Sequence, residues 1–388
     1  MQVLKKVGLG FGMLLISLSA YADYSWNFPE PVTPMALDTL HVHNKFMLIS
    51  MAIFLSVLAI MIYSIFSHRK SKGYKPVADK APSTAVEIFW TLIPFAILLL
   101  IDFVIMGIPA YHSVIMMEDT RDKANMVIKI TGSQWRWQYE YMDGDAQGIK
   151  FVSNLTTTND QMHNAADKDE NYLLEVDNHL VLPVGQKVRV LMTSADVLHN
   201  WWVPQFGSSR VAVPGFIRET WVQVEKAGTY RGQCKELCGK GHGYMPIVVD
   251  AVPMEEYKTW VAAKKEELAK AAAGADKEWT KEELMAEGKA VYEKNCAVCH
   301  QVTGAGLPPA FPPLTGSKIA NGPIFGADGK YLPDSHLDRV LNGIRVMPSW
   351  KAVLNDTEIA AVITYERNGL GNSVGDIVQP SQVKAARQ

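Results

Sequence analysis

The stretch RGQCKELCGKGHGYMPI, residues 231–247, places Cys234, Cys238, His242 and Met245 on one short segment. The chain of 388 residues has only four cysteines. The other two lie in NCAVCH, residues 295–300, so each pair stands beside a histidine. Thiolates, imidazoles and thioethers are ligands of soft and borderline transition metals. A Cys-x3-Cys pair in an exported domain also suits a disulfide, and for Cys234 and Cys238 that alternative stays open at this level.

Around this loop the sequence reads as β-structure. VIKITGSQWRWQYEY, YLLEV, KVRVLMTS and PIVVDAV are rich in β-branched and aromatic residues and are bounded by Gly, Asn, Asp and Pro. Several short strands without long helical patterns predict an antiparallel sandwich over residues 118–253. Composition then turns Ala/Glu/Lys-rich, which favours helix, and residues 254–279 read as a helical linker. Thr280 with Glu283 three residues on forms a capping box that opens a new domain, residues 280–370. Residues 371–388 read as a polar, poorly ordered tail.

The N-terminal part belongs to a membrane. Residues 1–22 carry Lys5 and Lys6, an apolar run and Ala20-Tyr21-Ala22, the pattern of a cleaved export signal. Within residues 23–117, two apolar runs, about 46–66 and 88–111, are long enough to span a bilayer. The short loop between them carries Arg69, Lys70, Lys72, Lys75 and Lys80. Basic short loops stay in the cytoplasm, so everything after the second span is expected outside. The net charge of −2 gives no basic field for nucleic acid.

His199, in DVLHNWWVP, supplies an early histidine to accompany the late Cys/His/Met loop. That is the ligand layout of a cupredoxin, in which copper takes two His, a Cys and a weak Met. The second cysteine gives the loop capacity for two bridged copper ions. VLHNWWVP followed by GQCKELCGKGHGYMPI resembles the binuclear CuA site of cytochrome c oxidase subunit II. The resemblance runs from residue 1 to about 257. It implies His199, Cys234, Cys238, His242 and Met245 as copper ligands, and Glu236 as the residue whose carbonyl completes the set. It further implies that the Glu236 side chain binds a magnesium ion shared with subunit I. In GSQWRWQYEY it implies Trp135 as the electron-entry residue, with Trp137 as packing.

Cys296-Ala-Val-Cys299-His300 fits covalent attachment of haem c, with His300 as an iron ligand. Met347, in GIRVMPSW, resembles the sixth ligand of class I cytochromes c, and His336 is the competing candidate. The same resemblance implies that helices carrying Gly288 and Tyr365 cross closely. The expected architecture is a two-helix transmembrane hairpin, a cupredoxin-like antiparallel β-sandwich and an all-α class I cytochrome c domain.

Glu87 opens the second span, where an ionisable group is a functional candidate. The family resemblance implies a proton-path entrance there. Asp102 receives no role, and Val211 stands where the family has an aspartate. The implied partners are oxidase subunits I and III, a c-type cytochrome donor and the lipid bilayer. The implied activity is electron entry for oxygen reduction coupled to proton translocation. A nitric oxide reductase subunit and a copper-delivery protein are the alternatives, and the covalent haem segment argues against the latter.

Overall fold

The computed structural model describes residues 27–74, 83–105, 107–274, 276–309, 311–345, 347–351 and 353–387. The export signal, residues 1–22, lies outside these, as do Lys75 and Lys80 of the basic loop. Helix α1 (Pro34–Ser67) starts well before its apolar run, because Thr33 caps it by accepting from the Ala36 amide at 3.0 Å. The same hydroxyl donates to the Phe206 carbonyl at 2.7 Å and pins this end to the sandwich. Helix α2 (Thr84–Leu99) passes through a π-helical turn, Leu100–Ile105, before α3 (Gly107–Glu118). Both spans present exposed apolar side chains along their length, as lipid-facing helices do.

The sandwich has two five-stranded sheets, in the orders β3-β2-β1-β5-β8 and β4-β10-β9-β6-β7. The strands are β1 (Met126–Ser133), β2 (Arg136–Tyr141), β3 (Lys150–Ser153), β4 (Leu180–Pro183), β5 (Val188–Ser194), β6 (His199–Trp202), β7 (Ser209–Ala212), β8 (Arg218–Val222), β9 (Gly228–Cys234) and β10 (Pro246–Val252). Most pairs are antiparallel, but β1 pairs with β5 and β4 with β10 in parallel. The long run 127–141 is a hairpin that turns at Gln134 and Trp135, with Ser133 opposite Arg136. YLLEV is not a strand. Leu173 has a φ of 61° and the Leu174 amide bonds back to Asn171, so only the isolated bridge Leu155–Val176 remains. The core alternates along the strands, as in β5, where Val188, Val190 and Met192 face inward.

Helix α4 (Met254–Gly274) does not hang free. Tyr257 and Val261 are buried on the sandwich, and Trp260 packs on Tyr141 and Phe151. The C-terminal domain then opens at Thr280 with both halves of the capping box formed. Its helices are α5 (Lys281–Asn295), α6 (Ala297–His300), α7 (His336–Asn342), α8 (Asp356–Asn368) and α9 (Pro380–Ala386). Helices α5 and α8 cross at Gly288, where an added Cβ would lie 2.1 Å from the Ala361 carbonyl oxygen. The Tyr292 and Tyr365 rings meet beside it, 5.6 Å apart. The polar tail is ordered: Val378 and Val383 are buried and α9 packs on α8. Two apolar residues among polar ones suffice to dock one short helix, which average composition conceals.

Candidate functional site

Pairing of β6 with β9 sets Trp201 opposite Cys234, which brings His199 at one strand's start beside Cys234 at the other's end. The chain then loops through Cys238, His242 and Met245 and returns as β10, paired with β9. Cys234, Cys238 and Met245 are buried, and His199 is fully so. The sulfurs of Cys234 and Cys238 lie 3.9 Å apart. A disulfide needs about 2.05 Å, and in this structure both residues are free thiols. Cys234 Sγ is 4.0 Å from His199 Nδ1 and 3.3 Å from the Glu236 carbonyl oxygen. Cys238 Sγ is 3.6 Å from His242 Nδ1 and 3.6 Å from Met245 Sδ. Two sulfurs thus stand between two imidazoles, with a thioether and a carbonyl outside. This donor set fits soft or borderline metal, copper above all.

Neighbouring groups orient the ligands. His199 Nε2 lies 2.9 Å from Asp196 Oδ1, which leaves Nδ1 facing the thiols. Burial works to raise the Asp196 carboxyl, but hydrogen bonds from His199, Gln134 and Val197 hold it below its usual range. The sulfur pair does not ionise evenly. The hydrogen bond between them holds the Cys234 thiol well below its usual range and, with burial, pushes Cys238 up. Gln134 Nε2 and Trp135 Nε1 both donate to the Cys238 carbonyl, at 2.8 and 3.1 Å. Trp135 lies so close to the loop that a Cβ on Gly241 would sit 2.3 Å from its ring. Trp137 is fully buried and donates to the Met245 carbonyl at 3.1 Å, a packing role. Asp196 escaped the sequence reading; its spacing three residues before His199 was the one local signal.

In the helical domain, Cys296 and Cys299 flank one turn and remain free thiols, as attachment of a porphyrin requires. The His300 Nδ1 nitrogen is 2.9 Å from the Pro312 carbonyl, which leaves Nε2 for a metal. Tyr292 Oη donates to the Gln301 carbonyl at 2.6 Å and fixes the backbone just past His300. Met347 sits half-buried in a tight loop, bridged to Ile344, and packs on the same core. His336, the competing candidate, is buried on α7 with Nε2 2.6 Å from Glu366 Oε2. The residues present thus fit a covalent haem with one histidine and one thioether.

Glu87 lies in the first turn of α2, exposed, far along the chain from both clusters. Asp102 lies on the π-helical turn, and Val211 pairs with Asn200 on β7. The Glu236 side chain makes no hydrogen bond among the described residues.

A sulfur-rich site on rigid strand ends, tethered to a covalent-haem domain and two spans, defines a membrane-anchored electron-transfer protein. Three family models match: cytochrome c oxidase subunit II, transmembrane domain, over residues 22–108; cytochrome c oxidase subunit II, periplasmic domain, over 126–252; and cytochrome c oxidase, cbb3-type, subunit III, over 269–365. A "Probable cytochrome c oxidase subunit 2" of Rickettsia bellii is 35% identical over 269 residues, 68% of this chain and 94% of the relative. The cytochrome c oxidase subunit 2 of Phytophthora megasperma is 34% identical, covering 61% of this chain and 86% of that one. The solved periplasmic domain of subunit II of cytochrome oxidase of Bradyrhizobium japonicum is 40% identical. It covers 37% of this chain and 96% of its own, at a TM-score of 0.33. The chain belongs to the cytochrome c oxidase subunit II family, with a cytochrome c domain fused at its C-terminal side. It is a subunit of a haem–copper terminal oxidase, and its metal clusters correspond to CuA and haem c.

Proposed function

We propose that this chain takes electrons from an external c-type cytochrome through its own haem c to binuclear copper, and hands them to the haem of subunit I. Copper and haem supply the one-electron chemistry; the protein supplies ligands and rigidity. Cys234 and Cys238 would hold the copper together with His199 and His242, and Met245 and the Glu236 carbonyl would be its weaker donors. Cys296 and Cys299 would make the thioether bonds to the haem, and His300 and Met347 would hold its iron. Trp135, bonded to the backbone of Cys238, forms the entry side of the copper loop. The Glu236 carboxylate binds magnesium together with subunit I. Glu87 gathers protons at the cytoplasmic mouth of the second span. Subunit III and the lipid bilayer complete the surroundings, and oxygen reduction with proton translocation takes place in subunit I.

The observation that carries this reading is the pair of free thiols 3.9 Å apart between two imidazoles. Two thiolates shared between metals would spread one electron over both, and a loop closed between paired strands limits ligand movement. A relative's subunit II has been captured in a mixed disulfide with a thioredoxin-like TlpA. For this chain the same chemistry would keep Cys234 and Cys238 reduced until metal arrives. Optical spectra of the purified complex, oxidised and reduced, with copper and haem per chain, test the reading. A single zinc in the sulfur site would overturn it.

A further inference from the structure

Arg136 opens strand β2 beside Trp135, and it is only 6% exposed. Its cover comes from the other domain. The guanidinium carbon lies 3.8 Å from the ring centroid of Trp350, itself 5% exposed and three residues beyond Met347. Apart from this stacking, the side chain makes no hydrogen bond or ion pair among the described residues, and its buried Nε has no partner. A buried cation left unpaired is costly, so an arginine in this position calls for a compensating role.

We propose that Arg136 is a positioning residue that latches the cytochrome domain onto the electron-entry side of the copper domain, with the haem-attachment segment facing the copper loop. This rests on the electron path proposed above. On the copper side its neighbour Trp135 bonds to Cys238, and Asp196, which holds His199, lies within its electrostatic reach. On the cytochrome side its positive charge acts on both Cys296 and Cys299, and Lys240 of the copper loop acts on Cys299 as well. Burial brings the guanidinium down to about 10, so it remains charged at neutral pH.

Two further features hold the same pose. Lys294, in the last turn of α5, pairs with Asp177 of the sandwich at 2.6 Å. Asp177 is in turn held by the amide and side chain of Asn154. Helix α4 is fastened along the sandwich by Trp260 and by Lys264, which donates to Asn178. The cytochrome domain therefore leaves from a fixed point with little tether to search. Short tethers keep the effective concentration of the docked state high, and Arg136 selects the orientation. With that face covered by the chain's own domain, an external donor meets the cytochrome domain first.

The test uses the full-length chain with both cofactors bound, as wild type, Arg136→Gln and Arg136→Lys. Haem is reduced by a flash and its reoxidation by copper is timed; the haem potential is titrated in parallel. Arg136→Gln should keep both optical signatures and slow haem-to-copper transfer roughly threefold to thirtyfold, the range a cation–π contact covers between exposed and desolvated sites. Its haem potential should fall, because a buried positive charge favours the reduced haem. Arg136→Lys keeps the charge but loses the planar stack, so its potential should stay near wild type while transfer slows. Wild-type rates and potential in Arg136→Gln, or wild-type rates in Arg136→Lys if the first does not accumulate, would overturn the latch. A wild-type chain that shows no haem-to-copper transfer would instead overturn the electron path itself.

Discussion

Replacing Asp196 by alanine should loosen copper without touching a ligand. Asp196 accepts three close hydrogen bonds, from the Gln134 amide at 2.7 Å, the Val197 amide at 2.6 Å and His199 Nε2 at 2.9 Å, beside a longer one from the Ser194 hydroxyl at 3.5 Å. Alanine orphans all three, and His199 is fully buried, so its ring loses the contact that keeps Nδ1 on the sulfurs. Loss of such an outer partner costs metal affinity about 10–100-fold, which is about 1.4–2.7 kcal/mol. Asparagine separates the contributions. It retains Oδ1 toward His199 and Val197 but turns an amide toward the Gln134 N–H, so one bond is lost instead of three. The expected order of copper retention is wild type, then Asp196→Asn, then Asp196→Ala. Competition against a graded copper chelator, followed by the absorption of the bound centre, gives the affinities. Equal retention in wild type and Asp196→Ala would refute the orienting role.

Met347→Ala should leave haem attached through Cys296 and Cys299 but remove the axial sulfur and lower the haem potential; the iron–methionine charge-transfer band should vanish. Glu87→Ala should leave both metal centres loaded and electron entry fast, yet slow the proton-coupled steps of the partner in time-resolved reduction, with Glu87→Asp recovering part of the rate. Unchanged rates across pH would reduce Glu87 to an interfacial charge. His179 is held between Asp250 at 2.7 Å and Glu175 at 2.8 Å, and the hydrogen bond to Asp250 is the chief cause that raises it above 6.5. Because the native value is raised, its stabilisation is full below the unfolded value and fades as pH rises through the native one. The melting-temperature advantage of wild type over His179→Gln should therefore be larger at about pH 6 than at pH 9; a flat difference would contradict the clamp.

The metal clusters were legible because their chemistry demands fixed residue types at short spacing. Cys234, Cys238, His242 and Met245 lie on one loop, and Cys296, Cys299 and His300 on one turn. The capping box at Thr280 was legible for the same reason, since it needs particular residue types three positions apart, whereas the close crossing at Gly288 followed from the family resemblance. Strand pairing was not. Alternation along β1 and β5 reveals which face is buried but not which neighbour is parallel. YLLEV has strand composition, yet the left-handed backbone at Leu173 turns it aside. The contact between Arg136 and Trp350 joins residues of two different domains, and no local pattern carries such a pairing. The order of the tail likewise rests on Val378 and Val383 meeting α8, a tertiary effect that local polarity hides.

If Cys234 and Cys238 hold two copper ions between them, one electron is shared over both nuclei. Electron paramagnetic resonance of the purified full-length protein, with copper and haem counted on the same sample, reads that sharing. Two coppers and one covalent haem c per chain are expected, with hyperfine structure from one electron shared equally over both copper nuclei. A signal localised on a single copper, or a Cys234–Cys238 disulfide in the metal-loaded protein, would contradict it.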